Sequence, residues 1–342
     1  MIDIREIDTN DSTLWDKFVY SNYESDYTHL YGWKSVYQES YGLKTQYLGL
    51  FDNDNLIAVL PTVLIKFPFK KKVAYSLPYL NYCGILKTGI HNEDTLLKSV
   101  SEYFKKYKVK GIELRKLNRS AELKEEGICT LKLLLPSNED ILWNGFDPKV
   151  RNQIRKAQRY NYDIQWGVDH LDSFYEIYSR NMHNLGTPVH SKKFFAKIIE
   201  IFPTQANLLT LYKDQIAVAS MFVMKYKKSL SDPWASSLKE YAELNPNMLM
   251  YWEVLKYGCL NGFDEFDFGR STINSGTYKF KKQWGANSIP LSYEFYSFDD
   301  NSGEASSFSY RGKKAKIFSN IWKRIPYKIS LWLGPKTRKF IP

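Results

Sequence analysis

Asp267–Ala286 reads DFGRSTINSGTYKFKKQWGA, and the fold turns on this stretch. A strand-like run, Asp267–Arg270, opens into a segment rich in glycine, lysine and aromatic residues. Gly269, Gly276 and Gly285 allow the backbone to come close to a ligand. Arg270, Lys279, Lys281 and Lys282 offer positive charge to an anion or to a developing oxyanion. Tyr278, Phe280 and Trp284 are candidates to wall such a site from water. The competing interpretation is a glycine-rich hairpin on a basic surface. It explains any few of these residues, but not the whole ordered set.

Two hairpin signals lie upstream. Tyr47–Val59 (YLGLFDNDNLIAV) and Leu209–Val218 (LTLYKDQIAV) each give an apolar strand, an Asp-containing turn and Ile-Ala-Val opening a second strand. The first copy is expected to have a turn two residues longer. Each copy is followed by a helix-like stretch, a glycine (Gly111, Gly262) and a strand with an arginine just past its end (Arg115, Arg270). Both glycines are expected to close an amphipathic helix. The chain thus reads as two copies of one α/β unit, with mixed sheets covered by helices. Pro136–Pro148 is rich in Pro, Ser, Asn and Asp and marks the boundary. Asp147-Pro148 then starts a helix.

These segments together carry a family resemblance. The Gly-Arg-Ser run at 269–271, the Ser-Gly-Thr-Tyr run at 275–278 and the Phe-Lys and Trp-Gly pairs resemble the C-terminal signature of FemAB-like acyltransferases. The likeness extends to the branch associated with exopolysaccharide systems of the PEP-CTERM type. Val150–Ile164 (VRNQIRKAQRYNYDI), Asn181–Val189 (NMHNLGTPV), Pro246–Trp252 (PNMLMYW) and Ile325–Pro335 (IPYKISLWLGP) are similar to family segments. So is Ser76–Gly84 (SLPYLNYCG), with Cys83 where glycine is more usual. The resemblance implies an α/β (α+β) fold of two tandem GNAT-like domains. They would span 1–145 and 146–304, with a basic aromatic tail at 305–342.

The resemblance also implies roles. Lys281 would steady charge during acyl transfer, with Tyr278 and Arg270 as further catalytic candidates. Arg151, Arg155, Ser271, Gly276, Lys279, Trp284, Asn181 and Thr187 are the candidate substrate-binding residues. Arg151, Arg155 and Arg159 recur at i, i+4 and i+8 and share one helix face, a rail for phosphates or a solvated face. Asn181–Val189 reads as a shaped loop, with a helix starting near Ser191. No G-x-S-x-G elbow surrounds Ser271, so direct transfer fits better than an acyl-enzyme. Asp267, Glu294 and water stay open as the general base.

The 342-residue chain has 44% hydrophobic and 16% aromatic residues, enough for real cores. No apolar run approaches the roughly 20 residues of a membrane helix. Leu56–Ile65 is short and broken by Pro61, and the polar N-terminus is not a secretory signal. Cys83, Cys129 and Cys259 lie far apart and point to a reducing, cytoplasmic compartment. His183 and His190 form the nearest histidine pair and read as surface or capping residues, with no metal site. Of the net charge of +11, the tail supplies nearly all: ten Lys or Arg and no acid follow Glu304. Basic and aromatic residues interleaved in this way suit an anionic membrane face, a lipid-linked substrate or RNA, or simply pack on the body.

No cofactor is expected to be tightly bound. The clean pyrophosphate loop of CoA-dependent relatives is absent, and so are the long heptad runs of the helical arm that some family members insert. Aminoacyl-tRNA and acyl-CoA both stay open as donors. The acceptor implied is an amine on a lipid-linked or nucleotide-linked cell-envelope precursor, of peptidoglycan or exopolysaccharide. A different class, a non-catalytic tRNA- or membrane-binding protein on a transferase fold, stands beside these.

Overall fold

The computed structural model describes residues 2–67, 71–89, 91–298, 306–307 and 313–342. It divides into two compact units: 1–118 with 291–310 and 337–342, and 119–290 with 311–336. Residues 305 and 308–312 of the basic tail lie outside the described residues.

Unit 1 runs β1 (Asp3–Glu6), α1 (Ser12–Ser21), α2 (Trp33–Tyr41), β2 (Lys44–Asp52), β3 (Asn55–Lys66), β4 (Lys72–Tyr75), β5 (Leu86–Lys87), α3 (Glu93–Lys105) and β6 (Val109–Leu117). Unit 2 runs β7 (Ile128–Leu134), α4 (Glu139–Gly145), α5 (Pro148–Gln158), β8 (Asp163–Trp166), α6 (Leu171–Leu185), α7 (Lys192–Ile201), β9 (Ala206–Lys213), β10 (Ile216–Tyr226), β11 (Ser229–Ser237), α8 (Pro246–Leu260), β12 (Glu265–Thr272), α9 (Gly276–Lys282) and the first residues of β13 (Asn287–Ser297). Beyond these lie β14 (Ser306–Ser307), α10 (Lys313–Trp322) and α11 (Tyr327–Arg338).

The repeat read from the sequence is present as a repeat of topology. In each unit a strand and two helices lead into an antiparallel hairpin, a third strand, a helix and a fourth strand. That helix returns the chain in parallel: β4 pairs parallel with β6, and β11 with β12. Such a return requires a crossover, which α3 and α8 supply. Both hairpins turn on two residues of positive φ, Asn53-Asp54 (46° and 62°) and Asp214-Gln215 (50° and 67°). Left-handed residues of this kind match the twist of the flanking strands. The turns are therefore equal in length, and the longer first turn expected from the sequence is corrected.

Other expectations divide. Asp147 caps α5 through the Lys149 N–H at 2.7 Å, with Pro148 in the first turn, and Ser191 caps α7. Gly262 follows α8 in the left-handed region (φ 70°). Gly111 closes no helix; it lies within β6 against the backbone and ring of Tyr296 and Phe295, where a side chain would clash. Arg115 and Arg270 lie inside strands rather than beyond them. α8 is not amphipathic: Met248 to Trp252 are all buried, as befits a central helix. The units also depart from the chain-order division at 145/146. β7 (Ile128–Leu134) pairs with β12, and the later part of β13 pairs with β6, so 119–145 group with unit 2 and 291–310 with unit 1.

In unit 1 the parallel ladder ends at Tyr75 and Glu113, and the segment 76–84 fills the space beyond. Ser76 N–H donates to the Glu113 carbonyl, Arg115 N–H donates to Ser76 Oγ, and Cys83 N–H donates to the Arg115 carbonyl at 2.7 Å. Leu77 (φ 53°) and Tyr79 (φ 75°) hold strained backbone there. Beneath lies a buried ion pair, Arg115 with Glu113 at 2.9 Å, and the guanidinium stands 4.9 Å from the Tyr293 ring centre. Removing one partner of such a pair strands a charge, at a cost of about 3–5 kcal/mol. Arg115→Met is expected to lower unfolding stability by that amount in urea titration, with Glu113→Gln added to it restoring part. A loss below about 0.5 kcal/mol would contradict the pairing.

Candidate functional site

The site in unit 2 begins where the β11/β12 ladder stops. Only three residue pairs join the strands, Ser229–Ser231 with Glu265–Asp267. A bulge follows on each strand. On β11 the register to β10 shifts across Asp232-Pro233, because proline has no N–H for the ladder. On β12 the register to β7 shifts between Asp267 and Arg270, with Gly269 at φ 71°. Asp267 Oδ1 sets this bulge by accepting the Gly269 N–H (2.7 Å) and the Thr130 hydroxyl (2.5 Å).

The bulge turns the Gly269 and Arg270 carbonyls toward α9. Ser275 caps that helix through the Tyr278 N–H, and Lys281 reaches back from its last turn. The Lys281 ammonium donates to the Gly269 carbonyl at 3.1 Å and to the Arg270 carbonyl at 3.2 Å. An ammonium has three donors; the third has no partner among the described residues. Burial pulls the Lys281 pKa below the ordinary lysine value, while Asp232, Asp267 and Cys129 work the other way and Arg270 adds to the lowering.

Asp232 was not among the candidates read from the sequence. It is 5% exposed, and its Oδ2 accepts the Tyr251 hydroxyl at 2.5 Å. Oδ1 is buried with no hydrogen-bond partner among the described residues. Burial raises its pKa to about 8, against the pull of Lys281 and of the Tyr251 hydrogen bond, with Asp267 adding to the rise. Two signals stood in the sequence: an Asp-Pro pair interrupting an apolar strand (SLSDPWASS), and Tyr251 inside the PNMLMYW segment.

The remaining candidates fall into three groups. Ser271 is buried beside Arg270, its Oγ without a partner among the described residues, and Arg270 itself is exposed. Gly276 and Lys279 are exposed on α9, and Tyr278 is half-buried, its hydroxyl accepting from Ser288 Oγ at 3.3 Å. The segment 276–282 is a helix, not part of a glycine-rich hairpin. Trp284 is a correction: at 1% exposure it packs edge-on against Phe146 (5.3 Å) in the core and walls no substrate. Arg151 and Arg155 do share a face of α5, whose other face buries Val150, Ile154 and Ala157. Arg151 is half-buried and reaches Asn144, and the exposed Arg155 lies 5.3 Å from the Trp143 ring centre; neither is hydrogen-bonded to the Lys281 group. Asn181 donates to Ser236 Oγ (3.1 Å), and Thr187 N–H ties the end of α6 to Met182. His190 is fully buried and stacked on Phe194, not a surface or capping residue.

Of the open general bases, Asp267 is occupied by Thr130 and Gly269. Glu294 belongs to unit 1, where burial raises its pKa but Lys116 (2.7 Å) and Tyr296 (2.6 Å) prevail and hold it below the usual carboxylate range. A cavity of about 270 Å³ in unit 1, lined by residues including Glu6, Gln46 and Lys72, contains none of the reactive groups. No cluster of three His, Cys, Asp or Glu able to hold a metal occurs among the described residues. Cys83, Cys129 and Cys259 are buried free thiols.

Residues 147–282 match the family model described as "Acetyltransferase (GNAT) domain". This part of the chain, which contains Asp232, Tyr251 and Lys281, is similar to GNAT-type acetyltransferase domains. In fold the chain is similar to FemX (15% identity, TM-score 0.65, 84% of this chain and 95% of FemX covered). It is also similar to a tandem GNAT protein from the clavulanic acid biosynthesis pathway (7%, 0.56, 88% and 100%). A conserved protein of unknown function from Bacteroides thetaiotaomicron is comparable (11%, 0.56, 85% and 98%). The tandem GNAT fold is thus borne out, and the FemAB-like resemblance holds at the level of fold. Comparison with curated proteins finds no match.

The folded chain holds the Asp232 proton more tightly than the unfolded chain does. Stability is therefore present at low pH and falls as pH rises from about 4 to about 8. Denaturant titrations between pH 5 and 7 are expected to show Asp232→Asn relieving a loss of roughly 1 kcal/mol per pH unit. Identical slopes for the two proteins would contradict the buried acid.

Proposed function

We propose that unit 2 is an N-acyltransferase and that Lys281 stabilises the oxyanion of the transfer. One observation carries this: a half-buried ammonium, fixed by two backbone carbonyls, that keeps a third donor uncommitted. When an amine attacks an acyl ester or thioester, the C–N bond forms and charge moves onto the carbonyl oxygen. A donor already in place lowers that barrier without reorganising. Collapse then breaks the C–O or C–S bond, the leaving group takes the electron pair, and the amine gives up a proton.

Asp232 supplies the second half of the arrangement. Its carboxylate favours the charged form of Lys281, opposing the desolvation that disfavours it. Arg270 on β12 and the exposed Lys279 on α9 are the candidate cations for a donor or acceptor phosphate, and Ser271, Gly276 and Tyr278 belong to the same strand and helix. The Arg151–Arg155 face of α5 offers a second phosphate-binding strip. Ser271 needs no nucleophilic role, because transfer is direct.

For the donor, the FemAB-like resemblance of the sequence implies an aminoacyl group, with charged tRNA as carrier. The acceptor is then an amine on a lipid-linked or nucleotide-linked cell-envelope precursor. The matched family description favours a second reading, acyl-CoA as donor to a sugar amine or amino acid. In both, the three free thiols suit a reducing, cytoplasmic setting.

The test follows label from charged total tRNA or from acetyl-CoA into amide product, with a crude precursor extract as acceptor. Lys281→Ala is expected to cut turnover by about 10²-fold with the fold intact. Undiminished turnover in that variant would remove Lys281 from the chemistry, and the donor that yields label decides between the two readings.

A further inference from the structure

Helices α10 and α11 each bury one face and expose the other. On α10, Trp322 is buried and Ser319 Oγ donates to the Leu185 carbonyl at 3.1 Å. On α11, Ser330 and Gly334 are buried, Gly334 lies against Val189, and the Tyr327 hydroxyl is hydrogen-bonded to Ser179 at 2.8 Å. Both helices are therefore seated on unit 2 by their inner faces.

The outer faces are apolar and basic at once. Ile317 (58% exposed) and Ile321 (59%) stand one turn apart on α10, with Phe318 beside them. Arg324, in the turn just after α10, is exposed as well. On α11, Ile329, Trp332 (63% exposed) and Lys336 follow at intervals of three and four residues, and the Lys336 ammonium stands 3.4 Å from the Trp332 ring centre. Lys323 and Lys328 are exposed between them. No acid follows Glu304 to neutralise this surface.

We propose that the outer side of α10 and α11 docks on an anionic lipid bilayer. Branched aliphatic side chains gain nothing from a nucleic-acid backbone, but they gain by entering the acyl boundary of a membrane. Tryptophan with lysine over its ring suits the headgroup layer, where one end is apolar and the other wet. The lysines and arginines beside them meet lipid phosphate, and the absence of acids removes repulsion from that surface. The inference goes beyond the transfer reaction: it concerns where unit 2 works, and it stands or falls on lipid binding alone.

The test is co-sedimentation of the full chain with vesicles of phosphatidylcholine alone or mixed with phosphatidylglycerol. Binding is expected to the mixed vesicles and not to the neutral ones. The double variant Ile321→Glu/Trp332→Glu is expected to weaken it by about tenfold or more, and Lys323→Glu/Arg324→Glu by a similar factor. All four positions are exposed, and matched thermal unfolding confirms an intact fold. Equal sedimentation of wild type and the Ile321/Trp332 variant would overturn the proposal. So would retention by unfractionated tRNA with no sedimentation on either vesicle.

Discussion

The organising constraint of unit 2 is a parallel strand pair that is allowed to pair for only three residues. Asp232-Pro233 and the Gly269 bulge end the β11/β12 ladder from both sides. Backbone carbonyls that a longer ladder would have consumed are left to meet a side chain. Lys281 is that side chain, and its desolvation is opposed, though not outweighed, by the carboxyl group of Asp232. A short helix with a serine cap, α9, suffices to hold it, because the lysine is anchored at its far end by the carbonyls.

The same topology in unit 1 solves the ladder end differently. There the charge that follows the ladder is internal, Arg115 paired with Glu113, and the strained segment 76–84 closes over it through three hydrogen bonds. The Arg115 and Glu113 charges are thus paired with each other. Duplication thus supplies two frames, of which one has buried its charged pair as structure and the other keeps a charged donor open. The contrast lies in which residues follow the parallel ladder: Ser76-Leu77-Pro78 in unit 1, Asp232-Pro233 in unit 2.

Much of this was legible in the residues. The hairpin repeat and the helix starts at Asp147 and Ser191 follow from local patterns of polarity, and a family resemblance singled out Lys281 as a candidate. The errors have physical causes. Trp284 has the composition of a site wall, but in the turn after α9 its ring packs into the core against Phe146. Gly111 has the spacing of a helix cap, but close approach of β13 demands glycine within a strand. Asp232 was passed over because an Asp-Pro pair in a strand does not by itself name a site; its burial and its pull on Lys281 depend on residues 49 positions apart in the chain.

The most direct measurement is the titration of Lys281 itself. Competitive labelling with an amine-specific reagent across pH, read by mass spectrometry on the peptide containing Lys281, reports its protonation against a free lysine derivative in the same tube. The expected result is a lysine that titrates below the reference, and lower still in Asp232→Asn, because the carboxylate that supports its charge is gone. A Lys281 that titrates with the reference in both proteins would contradict a desolvated ammonium held at the ladder end.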